Sequence, residues 1–191
     1  MIATRLTPQR YRHMPWKNGL GVTTEIARRP ADGDFDWRVS MATVAADGPF
    51  SSFSGYHRVL VVIAGAGLVL RHPERGTSAT LGPLEPYSFS GDWATTCDLR
   101  HGEVRDFGVI ARRAAFRPRV EVERLAGPRS WTPVGISLLY AVEGTTCVEA
   151  PPGRFECGSG ETLLIEDANS PVRLVPGATG AVLILVSLEA A

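Results

Sequence analysis

The stretch "DWRVSMATV" offers the first chemistry in this chain. A strand repeats every two residues, so Arg38, Ser40, Ala42 and Val44 share one face, while Trp37, Val39, Met41 and Thr43 share the other. Turned inward, Arg38 is a guanidinium in a pocket, suited to gripping a carboxylate through two N–H donors; turned outward it is a surface cation, and periodicity leaves both open. In "VTTEI", Glu25 shares a face with Thr23. An inward Glu25 requires a cation such as Arg38, Lys17 or Arg58, and a structural salt bridge is the plainer reading. In "RDFGVIARR", Asp106, Gly108 and Ile110 align, which brings Asp106 either to a pocket mouth or to the surface. Upstream, "MPWKNGLGVTTEI" sets Trp16, Lys17 and Asn18 ahead of two glycines, either as a binding turn or as a tight entry into a strand.

Other chemistries lack support. His13, His57, His72 and His101 form no pair at metal-ligating spacing, so no metal and no cofactor is expected. No Gly-x-Ser-x-Gly elbow or phosphate-binding glycine loop occurs, and no cysteine has an obvious histidine beside it, so no catalytic nucleophile is assigned.

The elements that must position these residues read as strands. Glycines and prolines punctuate short runs of valine, leucine, isoleucine and threonine, among them "GVTTEIA", "RVLVVIAG", "GLVLR", "VRDFGVIAR", "ETLLIED", "PVRLV" and "GAVLILVSL", the pattern of an all-β sandwich or barrel. "RVLVVIAGAGLVL" and "ISLLYAVEGTTCVEA" each read as a strand, a glycine turn and a second strand, which predicts a β hairpin in each half and two similar β units in tandem. Between them "RRAAFRPRVEVERLAGPRSWTP" reads as a solvated connector. The expected division is residues 1–113 and residues 114–191.

Lysine plus arginine equals aspartate plus glutamate, 20 against 20, so no global field favours nucleic acid or an acidic membrane. No apolar run is long enough to span a bilayer and the N-terminus lacks a secretory pattern, so the expectation is a cytoplasmic protein. Cys97, Cys147 and Cys157 are widely spaced and read as reduced packing residues.

Several segments together resemble the HutD/Ves family: "PWKNGLGVTTEI", "FDWRVSMATVAADGPFSSFSGYHR", "FSGDW" and "RDFGVIARR" follow the family's order and spacing over roughly the first 113 residues. The resemblance implies a bicupin, two jelly-roll-like β-barrels in one chain, associated with histidine utilisation and with binding of a small carboxylate such as N-formylglutamate or urocanate. Metal-dependent cupins carry His-x-His and a glutamate ahead of a hairpin glycine. Counting back from Gly65 puts Arg58 at the glutamate and Ser52 and Ser54, or Ser51 and Phe53, at the histidines. The chain departs from the family pattern at Leu20, at Ser54 and His57, where proline and aspartate are frequent, and at Gly108, where asparagine is common.

The leading expectation is therefore a metal-free bicupin that binds a carboxylate. Lys17, Arg38 and Arg58 would be its cations and Asn18 and Ser40 its neutral partners, with Glu25 and Asp106 nearby and Trp16, Trp37 or Phe89 as an apolar wall. A second reading is a metal-independent epimerase, isomerase or hydrolase using Glu25 or His57 as base. A third is a protein-interaction module, and a homodimer through β-edge pairing fits any of the three.

Overall fold

The chain was analysed as a computed structural model that describes every residue except those at positions 17, 18, 20, 151, 152 and 169. It is all-β. Strands β1 (Ile2–Leu6), β2 (Arg12–Pro15), β3 (Gly21–Arg29), β4 (Trp37–Val44), β5 (Gly48–Phe50) and β6 (Tyr56–Ala64) are followed by β7 (Leu68–His72), β8 (Thr77–Leu81), β9 (Tyr87–Ser90), β10 (Thr95–Leu99) and β11 (Val104–Arg112). The remainder is β12 (Phe116–Leu125), β13 (Arg129–Trp131), β14 (Ile136–Ala150), β15 (Gly153–Gly158), β16 (Thr162–Glu166) and β17 (Val172–Ala190). Among the described residues no helix is long and apolar enough to cross a membrane.

Two compact units emerge. One comprises Tyr11–Phe116 with Ala191, and the other combines Met1–Arg10 with Arg117–Ala190. The opening ten residues, counted with the first half from sequence, thus leave it: β1 pairs antiparallel with β16, Ile2 opposite Glu166 through Leu6 opposite Thr162. An Arg5–Glu161 ion pair at 2.7 Å accompanies that pairing.

The Tyr11–Phe116 unit is built of a six-stranded sheet, β2-β3-β4-β11-β6-β9, and a four-stranded sheet, β5-β10-β7-β8. Both contribute to one apolar core, in which Val44, Leu60, Val62, Phe89 and Val104 meet Leu68, Leu70, Leu81 and Cys97. Strand geometry turns every second side chain into that core, and on β6 and β11 the alternate residues Val59, Val61, Phe107 and Val109 are buried on the other face. The hairpin expected in "RVLVVIAGAGLVL" does not form: β6 pairs with β11 and β9 in the six-stranded sheet and β7 with β10 and β8 in the four-stranded sheet, so the glycines make a turn that carries the chain from one sheet to the other. Its Gly67 has φ +99 and lies so close to the Leu81 carbonyl oxygen that a Cβ would stand 2.3 Å from it.

The other unit is a seven-stranded sheet, β1-β16-β14-β17-β12 with β13 and β15 alongside. Here three sequence expectations are corrected. "ISLLYAVEGTTCVEA" is not a hairpin but one strand, β14, paired with β17 and absorbing its glycine through register shifts between Ala141 and Glu143 and between Gly144 and Thr146. A glycine at positive φ, +74 for Gly144, can make a bulge as readily as a turn, and a long partner strand selects the bulge. "PVRLV" and "GAVLILVSL" likewise fuse into β17, 19 residues long. The supposed connector contains β12, whose "FRPRVEVERL" alternates apolar and charged residues at the strand period, with Arg119 and Glu121 paired at 2.6 Å.

Cys97, Cys147 and Cys157 are all free and buried. Burial pushes the Cys157 thiol up to about 12, with Glu161 adding to the effect, and its Sγ donates to the Glu161 carbonyl.

The tight turn gives a direct check. Gly67→Ala forces a side chain into positive φ against a backbone oxygen, and urea unfolding should show a loss of more than about 1 kcal/mol. An unchanged midpoint would mean that the turn relaxes freely.

Candidate functional site

Register places the chemistry. On the core-facing side of the six-stranded sheet, Ile110 of β11 lies between Arg38 of β4 and Arg58 of β6. The next inward row is Ser40, Gly108 and Leu60, and the one beyond is Ala42, Asp106 and Val62. Glu25 of β3 stands opposite Ser40, and Thr23 opposite Ala42. Arg38 and Arg58 sit one strand either side of β11, roughly 10 Å apart at the backbone, long enough side chains to converge.

They converge on a cavity of about 520 Å³ whose wall includes Trp16, Thr23, Arg38, Ser40, Phe50, Ser51, Phe53, Arg58, Asp106 and Gly108. Arg38 and Ser40 therefore face inward. Both guanidiniums are held by aromatic faces rather than by carboxylates. Arg38 lies 5.0 Å from the Phe35 ring centroid and 5.3 Å from that of Phe53. Arg58 lies 5.4 Å from the same Phe53, 5.3 Å from Phe50 and 4.9 Å from Phe89. Stacking of a desolvated guanidinium contributes about 2 kcal/mol without consuming its N–H donors. Arg58 Nη1 donates to the Ser51 carbonyl at 2.9 Å, and Arg38 Nε has no partner among the described residues.

The loop carrying Phe53 is clasped in place. Phe53 N–H donates to the Gly91 carbonyl at 2.8 Å, and Gly91 N–H donates to the Tyr56 carbonyl at 2.8 Å. Asp92 accepts from Gly55 N–H at 2.7 Å and from Ser90 Oγ at 2.9 Å, and Arg113 pairs with it. These donors, the Gly55 amide first, hold the Asp92 carboxyl well below the usual carboxylate range. The "FSGDW" segment is thus the fastening for the "SSFSG" loop.

Charge in the wall is perturbed by burial. Desolvation lowers Arg58 to about 10, opposed by Asp106 and reinforced by Arg38, so it stays cationic at neutral pH. Arg38 is lowered by the same cause, opposed by Glu25 and reinforced by Arg28. Asp106 is 4% exposed, and its Oδ2 has no partner among the described residues. Burial raises it to about 7, with Arg58 opposing. Gly108, between the arginine row and Asp106, keeps the middle open: a Cβ there would meet nothing closer than 3.8 Å.

Five of the residues singled out from sequence line this cavity: Trp16, Arg38, Ser40, Arg58 and Asp106. Glu25 is buried at 8% exposure beside Arg38 but is not in the lining. Phe89 and Trp37 are not an apolar wall. Phe89 is buried at 3% beneath Arg58, and Trp37 lies on the opposite strand face. His57 is exposed and alternates away from Arg58, so it presents no base to the cavity. Lys17 and Asn18 lie outside the described residues. The stacking of Phe50 and Phe53 on the arginines was missed, although two phenylalanines in the turn-rich "GPFSSFSG" were a visible oddity. Of the departures from the family pattern, Gly108 lies in the wall and His57 does not.

Elsewhere the chemistry is thin. His72 is fully buried between Thr95 Oγ1 and Tyr87 OH, each 3.1 Å away, and burial lowers its pKa, assisted by Arg58. In the other unit a groove of about 590 Å³ brings only Arg124 and Glu143 among small and apolar residues. No three His, Cys, Asp or Glu side chains among the described residues come together as metal ligands.

A fold of this kind is cupin-like. A cupin 2 conserved barrel domain protein from Leptotrichia buccalis superimposes with a TM-score of 0.58 at 11% identity over 88% of this chain and 89% of its own, a likeness of fold alone. Residues 8–184 match the HutD family, and the chain belongs to it. An uncharacterised 21.2 kDa protein of Pseudomonas putida, described as lying in the hutC 3′ region, is 39% identical over 153 residues, covering 79% of this chain and 75% of that protein. The crystal structure of a conserved protein of unknown function from Pseudomonas aeruginosa PAO1 matches with a TM-score of 0.91 at 32% identity over 99% and 100% of the two chains. HutD from Pseudomonas fluorescens SBW25 matches with a TM-score of 0.84 at 30% identity over the whole of both.

The raised Asp106 has a consequence for stability. Its folded midpoint of about 7 exceeds its ordinary 3.8, so the folded protein holds a proton that the unfolded chain releases between those values. Stability is therefore lost as pH rises through that window. Asp106→Asn removes the effect. Urea unfolding should show the variant gaining on the natural protein from about pH 4 to pH 7, by about 2 to 4 kcal/mol in all. Parallel pH profiles would show that Asp106 ionises freely.

Proposed function

We propose that this chain is a small-molecule-binding bicupin of the HutD type, and that the cavity of the Tyr11–Phe116 unit holds a small carboxylate in a sensing or regulatory role. An intermediate of histidine breakdown such as N-formylglutamate or urocanate is the ligand we favour. One observation carries the reading: Arg38 and Arg58 share the ring of Phe53 and keep N–H donors free on the wall of a cavity of about 520 Å³. Two cations with unspent donors are a costly thing to bury for structure alone, and a carboxylate offers the matching acceptors. The P. putida relative described by its place in the hutC 3′ region supports the choice of ligand. Two β units, each with its own apolar core, support the bicupin description. An open wall of polar groups weighs against a side-chain-filled interaction module. The exposure of His57 weighs against its use as a base.

Calorimetric titration with N-formylglutamate and with urocanate is the direct test, and at least one should bind below millimolar. Arg38→Lys keeps the charge but loses the guanidinium fork, and it should weaken binding about tenfold or more. Gly108→Leu should abolish binding by filling the middle of the cavity while leaving the melting temperature within a few degrees. Failure of both acids to bind would sink the ligand class.

A further inference from the structure

Resting on that reading, the charges in the wall say more about how the ligand is held. Among the described residues, four charged side chains stand in or beside the wall, Arg38 on β4, Arg58 on β6, Glu25 on β3 and Asp106 on β11, while Arg28, which shares the Phe35 ring with Arg38, lies outside the lining and spends its guanidinium on the carbonyls of Pro30 and Gly33. Glu25 acts on Arg38 and Asp106 acts on Arg58, so above about pH 7, with no ligand, the two cations that line the cavity are balanced by two carboxylates. A carboxylate entering a site of low dielectric leaves one negative charge uncompensated, and in such surroundings a group changes protonation sooner than it stays charged and unpaired.

We propose that the cavity takes up its carboxylate together with one proton from solvent, which comes to rest on Asp106. Glu25 acts on Arg38 from outside the lining. Asp106 faces the cavity with Oδ2 unpartnered, so the added proton gives that oxygen a hydrogen to donate to the ligand. The ligand-free midpoint of about 7 means that the proton is held loosely and the cost of taking it up is small near neutrality. The other titratable groups near this cluster do not compete. His72 on β7 has its pKa lowered by burial, with Arg58 adding to the effect. Cys97 on β10 has its thiol pushed up by burial, with Asp106 among the charges that raise it further. The charge count also limits the ligand to one carboxylate inside the cavity, with any second one toward the mouth.

The experiment is calorimetry with N-formylglutamate and urocanate between about pH 7 and pH 9, in buffers of different ionisation enthalpy, where the charge of either acid is constant. The natural protein should take up close to one proton per ligand at the upper end and lose about tenfold in affinity per pH unit. Asp106→Asn, which imitates the protonated acid, should take up none and change less than about twofold over the range. Binding without proton uptake, or an equal pH slope in Asp106→Asn, overturns the proposal and leaves the carboxylate site standing. A separate arm follows the Asp106 carboxyl carbon by NMR in the natural protein while acetate is added. If neither acid binds but acetate moves the Asp106 midpoint upward, the choice of ligand falls and the proton-coupled site stands. If acetate also leaves the midpoint unmoved, both fall.

Discussion

The constraint on which this site depends is the burial of two guanidiniums against one ring. Phe53 lies 5.3 Å from Arg38 and 5.4 Å from Arg58, so a single side chain on a loop positions both cations. Everything around it serves that placement. The Gly91, Asp92 and Arg113 contacts fasten the loop, β11 separates the two arginines by one strand on each side, and Gly108 keeps the space between them and Asp106 clear. Aromatic faces compensate the lost hydration while leaving hydrogen-bond donors unspent, which a carboxylate partner would not have done.

The two β units differ in what fills them. In the unit formed by Met1–Arg10 and Arg117–Ala190 the core is mainly apolar, with Leu139, Leu163, Ile165 and Leu183 all fully buried, and its buried polar side chains, Ser137, Thr146 and Thr162, are small and uncharged. In the Tyr11–Phe116 unit the comparable strand face exchanges apolar side chains for arginine, serine and aspartate at alternate positions of β4 and β11. A packed hydrocarbon core leaves no room for a ligand, whereas a polar wall needs one or water to satisfy it. On the proposed reading, the chain separates stability from recognition.

How much of this was legible in the sequence follows from which signals are local. The period of two put Arg38 and Ser40 on one face, and Asp106 and Gly108 on another, because strand geometry is fixed by the backbone alone. Which face turned inward was not legible for Arg38, since a strand covered on both sides carries apolar residues on both. The clamp was hidden for a different reason. Phe50 and Phe53 lie in an irregular segment, and their contact with Arg38 and Arg58 is made across the fold. The continuous β14 was misread because a glycine that bulges and a glycine that turns look alike until the partner strand is known. The alternation in "FRPRVEVERL" was overlooked beneath its charge.

The three buried cysteines bring a property of a different kind. None is within a disulfide, and they are divided between the units, Cys97 in one and Cys147 and Cys157 in the other. A thiol sealed in a core meets an alkylating reagent only when its surroundings open, so the labelling rate becomes a clock for that opening. Cys97 times the unit that holds the cavity, and Cys147 and Cys157 time the other. The natural sequence carries its own reporters, and they can tell whether an occupied cavity steadies one half of the chain or both.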